Sequence, residues 1–133
     1  MSELATEYPS VDFSNVDPIF PDKSSPTGSK YFPTRAAVIA RAQACLRSLY
    51  QRPEKWIIVV SHSGFLRMGV TGWWFFNGDY RIFNMTGHPD ADQPLKLMQW
   101  ESTLAGGLGL SWTDPVEIGA GLEEDGKEPV GSP

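Results

Sequence analysis

The residues best placed to do chemistry in this 133-residue chain are Ser61-His62-Ser63-Gly64, with Phe65-Leu66-Arg67 directly behind them. They follow Trp56-Ile57-Ile58-Val59-Val60, an apolar run without alternation. Such a run reads as a strand buried on both faces, the pattern of a parallel sheet. A polar cluster between the end of a buried strand and the start of a helix is where α/β proteins bind ligands. The helix start offers unpaired N–H groups and partial positive charge, so an anion is the natural guest. There the His62 imidazole could donate to a phosphoryl oxygen or act as a nucleophile. Ser63 and Gly64 would add backbone donors and room for close approach. The plainer alternative is a histidine that satisfies backbone groups at a turn.

Other candidates carry weaker patterns. Arg67, one turn further on, could reach a phosphate or lock the turn through an ion pair. His88, Asp90 and Asp92 superficially resemble metal ligands, but no further histidine or cysteine stands near them, and no metal site is expected. His88 itself reads as an exposed residue of a polar hairpin tip. Trp73, Trp74, Phe75 and Phe76 read as core or interface. Neither a G-x-x-x-x-G-K phosphate loop nor a dinucleotide fingerprint is present. A rival reading makes Ser63 the nucleophile of an esterase elbow. It needs small residues where Ser61 and Phe65 stand, and the order Ser…Asp…His is met only by Asp79 and His88 at short spacing.

The elements around the cluster follow from periodicity and punctuation. Residues 1–32, with Pro9, Pro18, Pro21 and Pro26, read as an extended loop pinned by Phe13, Val16, Ile19 and Phe20. A leading loop this long suggests the middle of a longer protein. Thr34 caps a predicted helix to about Tyr50, with Val38, Ala42, Cys45, Leu46 and Leu49 on one face and Arg35, Arg41, Gln43 and Arg47 mostly elsewhere. Pro53 stops it. A second helix is expected from about Gly64 to Trp73-Trp74. Gly69 and Gly72 weaken it intrinsically or permit close packing. Residues 80–85 and 95–100 alternate and should pair as a hairpin.

Composition narrows the function classes. The net charge is −5, and the stretch from Thr113 onward accounts for all of it. Residues 1–112 therefore form the expected domain, without basic excess for nucleic acid, and 113–133 an acidic, disordered tail. No apolar run is long enough to cross a membrane, and the acidic start of the chain is not a signal peptide. The single cysteine, Cys45, fits a reducing compartment, hence a cytoplasmic location.

Ile57-Ile58-Val59-Val60-Ser61-His62-Ser63-Gly64-Phe65-Leu66-Arg67 resembles the second-histidine segment of the histidine phosphatase superfamily, the phosphoglycerate-mutase-like proteins. Val11-Asp12-Phe13-Ser14-Asn15-Val16-Asp17, the 34–50 helix, Asp79-Tyr80-Arg81-Ile82-Phe83-Asn84 and Glu101-Ser102-Thr103-Leu104 are similar to fungal members in particular. The resemblance implies an α/β fold: part of a three-layer α/β/α architecture, with a parallel strand at 56–60 and a C-terminal hairpin. It implies that His62 stabilises an in-line phosphoryl transfer on a small phosphorylated metabolite, without a cofactor. No arginine stands directly before a histidine, so the family's Arg-His-Gly nucleophile motif has no counterpart, and neither do its second arginine and proton donor. The expectation is a C-terminal portion of such a domain, inactive alone; a non-catalytic remnant that binds an anion or a partner chain is the alternative. In the family a strand bearing the phosphorylated histidine lies beside the one matched by 56–60. Its absence should leave an open edge, hence instability or self-association.

Overall fold

The computed structural model describes residues 2–90 and 92–124. Its elements in order are helix α1 (Ser2–Glu7), a 3-10 turn (Pro26–Tyr31), helix α2 (Arg35–Tyr50), helix α3 (Ser63–Phe65) continuing into a π-helical segment (Leu66–Thr71), strands β1 (Phe83–Thr86) and β2 (Lys96–Gln99), and a short 3-10 turn (Glu101–Thr103). Helices and a small antiparallel sheet make it a mixed α/β structure.

Helix α2 is the axis of the fold. Val38, Ala42 and Leu46 recur at the four-residue spacing of one helical face, and all three are buried. Thr34 stands at the N-cap as expected, but its hydroxyl makes no capping bond. The π-helical segment packs on this face because Gly69 lets the backbones approach. A Cβ on Gly69 would lie 3.0 Å from Val38 Cγ1 and 3.3 Å from the Ala42 methyl. Close packing is therefore the role of that glycine. Gly72 has a different one: it ends the segment at φ 79°, the left-handed cap that glycine adopts without strain. Gly69→Leu should cost about 3 kcal/mol by overpacking, visible as a lower urea midpoint with α2 still helical by circular dichroism.

The expected hairpin forms, with strands shorter than the alternation over 80–85 and 95–100 suggests, in the register Phe83↔Gln99, Asn84↔Met98, Met85↔Leu97 and Thr86↔Lys96. Gln43 fastens it to α2. Its amide donates to the Leu95 carbonyl at 3.1 Å and accepts the Leu95 N–H at 3.2 Å, as a neighbouring strand would. Leu95 is buried by this docking.

Arg81 organises the loops beyond. Its guanidinium donates to the carbonyls of Trp74, Leu104 and Trp112 at 2.7–2.8 Å and to Thr103 at 3.2 Å. The rings of Trp73 and Phe75 lie about 5 Å away. No carboxylate among the described residues bonds it; four loop carbonyls replace water, and burial lowers its pKa. Nearby, Asp79 accepts from Ser111 Oγ and from the N–H groups of Leu108, Tyr80 and Leu110. Partial burial pulls this carboxyl up, but those bonds prevail and hold it below the usual range.

Three expectations need correction. First, residues 56–60 are not a buried parallel strand: no ladder includes them, and all five side chains are exposed. A strand is buried by its neighbours, and among the described residues no strand lies alongside this one. Second, the leading segment is not wholly loop, since α1 occupies Ser2–Glu7. Its anchoring is also different: Phe13 and Ile19 are half-buried, whereas Val16 and Phe20 are exposed. Aspartates shape it, with Asp12, Asp17 and Asp22 each accepting from the N–H two residues on. Third, the acidic tail is tied down as far as it is described. Val116 N–H donates to Gly72, Gly119 N–H to Met68 and Arg35 N–H to Glu123. Residues 125–133 lie outside the described residues.

Asp17 gives the leading segment an acid limit. Lys30 pairs with it, Ile19 N–H donates to it, and Tyr31 Oη donates at 2.8 Å. Led by Lys30, these partners lower its pKa from 3.8 to about 2. A depressed folded pKa stabilises at any pH above the unfolded value, and the contribution fades as pH falls through the folded one. Pepsin digestion should therefore begin to cut residues 12–33 as pH drops from about 4 to about 2. In Asp17→Asn the same cuts should occur at pH 4 already.

Candidate functional site

The site is built at the junction between the unpaired run 56–60 and α3. His62 is the N-cap, with φ −74° and ψ 139°, so the chain arrives extended and turns helical at Ser63. The His62 carbonyl accepts the first helical bond, from Leu66 N–H at 3.0 Å. The N–H groups of Ser63, Gly64 and Phe65 have no acceptor among the described residues. They are the orphan donors that every helix start presents. The imidazole makes no capping bond, and His62 is exposed. The reading of His62 as a residue satisfying its own turn thus loses its mechanism.

Gly64 is not required by the fold. A Cβ there would meet only Met68 Cε, at 3.5 Å, an ordinary contact. Behind Gly64 the helix is π-type: Gly72 N–H donates to Arg67 five residues back at 2.9 Å, and Thr71 Oγ1 to the Leu66 carbonyl at 3.0 Å. Such bulges are frequent at functional sites. Arg67 forms no ion pair among the described residues. Its Nε is buried without a partner, so the turn is not locked as one sequence reading supposed.

The other candidates fall elsewhere. His88 stacks edge-on against Tyr50 at 5.6 Å, and its Nδ1 accepts from Asp90 N–H at 3.3 Å. No group of three or more metal-ligating side chains comes together among the described residues. Ser63 Oγ has no hydrogen-bond partner among them, which leaves the esterase reading without a base for its nucleophile. Cys45 is a free thiol on α2, and burial pushes its pKa up. No helix among the described residues is long and apolar enough to cross a membrane.

A separate shallow groove of about 250 Å³ lies where the hairpin tip meets α2, lined by Gln43, Arg47, Pro89, Asp92, Gln93, Pro94 and Leu95. Sequence reasoning passed over it. The one available signal was the four-residue spacing of Gln43 and Arg47, which puts both on one side of the helix. His62 is not part of it. No family model, curated protein or solved structure matches this chain.

Proposed function

We propose that the turn 62–65 is a phosphate-binding cradle and that the chain is histidine-phosphatase-like: the phosphoryl-stabilising portion of a phosphoglycerate-mutase-like site. The observation that carries this reading is an exposed imidazole at a helix N-cap beside three backbone N–H groups without acceptors among the described residues. In that role His62 donates to a phosphoryl oxygen while Ser63 and Gly64 offer backbone donors. Together they stabilise negative charge as it builds during transfer. The same reading accounts for the bare run at 56–60, which in a three-layer α/β/α domain would be flanked by other strands. The substrate class is a small phosphorylated metabolite.

The chain holds no Arg-His pair to form a phosphohistidine, so its own part is binding and polarisation. Hydrolysis of a generic aryl phosphate by this chain should not exceed that of its His62→Ala variant, while inorganic phosphate should bind the first and not the second. Turnover that vanishes in His62→Ala would show that the chain is a phosphatase unaided. Phosphate binding that survives the substitution would remove His62 from the reading.

A further inference from the structure

Residues 56–60 are laid out as a strand that lacks only a neighbour. The segment has no turn or bend. Its exposure alternates with period two: Trp56, Ile58 and Val60 are 72%, 92% and 91% exposed, Ile57 and Val59 39% and 45%. One row is therefore turned mostly to solvent, with only the Trp56 ring meeting Trp100 edge-on, and the other leans on the body, as in an extended strand. No backbone N–H or C=O from 56 to 61 is hydrogen-bonded among the described residues. The segment contains no proline, glycine or charge, the usual means of blunting such an edge.

We infer that this segment is a self-association strand, pairing antiparallel with its counterpart in a second copy about a two-fold axis at Ile58. The flanking charges favour antiparallel over parallel in-register pairing. Parallel in-register pairing would set Lys55 against Lys55 and Glu54 against Glu54, which destabilises a sheet. Antiparallel pairing centred on Ile58 sets Lys55 against Ser61 and Glu54 against His62. A slip of one residue in one direction puts Lys55 against Val60; in the other, it puts Lys55 against His62. The centred register also matches Trp56 with Val60 and Ile58 with itself, aromatic and β-branched pairs that favour a sheet. A symmetric pairing of this kind closes as a dimer and offers each backbone the hydrogen bonds it lacks.

The inference does not rest on phosphate binding, and its test reads mass and cross-links. In sedimentation velocity over a concentration series, the wild-type chain should form dimers. Ile58→Pro, which removes the central N–H, should be monomeric with its helical circular dichroism intact, since the side chain at 58 is almost wholly in solvent. Ile58→Asp, which places two carboxylates on the axis, should behave the same way. In a Cys45→Ala background, Ile58→Cys should form a disulfide-linked dimer on mild oxidation. Ile57→Cys alone should not, but should cross-link when mixed with Val59→Cys. A wild-type chain that stays monomeric, or a dimer untouched by both Ile58 substitutions, would overturn the inference. Equal cross-linking of Ile57→Cys with itself would overturn the register.

Discussion

Arg81→Met should destabilise the chain by about 3–5 kcal/mol, the cost of leaving several buried carbonyls without a donor. The guanidinium serves four carbonyls on three loops: Trp74, Thr103 with Leu104, and Trp112. Methionine fills much of the volume but donates nothing. The four oxygens are then left facing a nonpolar side chain, at about 1–3 kcal/mol for each one that stays dry. Relaxation would let water reach some of them, which keeps the total near the stated range. Small domains have only about 5–15 kcal/mol in hand. This one rests on few buried apolar side chains, chiefly Val38, Ala42, Leu46 and Leu95. Arg81→Met should thus be mostly unfolded, or bind a hydrophobic dye, under conditions where the wild type is folded. Arg81→Lys should recover only part of the loss, because an ammonium cannot span carbonyls set out for a planar fork. Urea denaturation of the three proteins measures the series. A midpoint for Arg81→Met equal to the wild type would mean that the loops hold without their hub.

His62→Ala should abolish phosphate binding and leave stability unchanged. The two halves of this expectation come from the same geometry. The imidazole caps nothing, so its loss should not unravel α3. A hydrogen bond from a charged or polarised donor to a phosphate contributes about 1.5–3 kcal/mol, so its removal weakens binding roughly 10- to 100-fold. A site this open to water should bind phosphate only in the millimolar range, about −4 kcal/mol, so a 10- to 100-fold loss would take binding beyond detection. Gly64→Ala is the companion test. The fold accepts the methyl group, so a fall in phosphate affinity without a fall in melting temperature would show that the space is needed by the ligand.

How much of this was legible in the sequence depends on where each element finds its partners. Helix α2 and the hairpin were readable because their signals are local: apolar residues at helical spacing around Ala42, and alternation on both sides of the turn at 87–94. The run 56–60 was misread because lack of alternation describes what a strand needs, not what it gets. The described part of the tail is held by main-chain bonds from Val116 and Gly119, to which composition is blind. Arg81 was hidden inside an alternating pattern, since no spacing announces four carbonyls converging from segments up to 31 residues away. The turn at His62 was legible as a place, the boundary between an apolar run and a helix. The chemistry proposed for it rests on donors that only coordinates show to be without acceptors among the described residues.

The most direct measurement is a titration of the folded chain with inorganic phosphate, followed residue by residue through amide proton and nitrogen shifts. The largest saturable shifts should fall on the N–H groups of Ser63, Gly64 and Phe65, and should disappear in His62→Ala. Shifts centred on Arg47 and the hairpin tip, or none at the 62–65 turn at any phosphate concentration, would contradict the account.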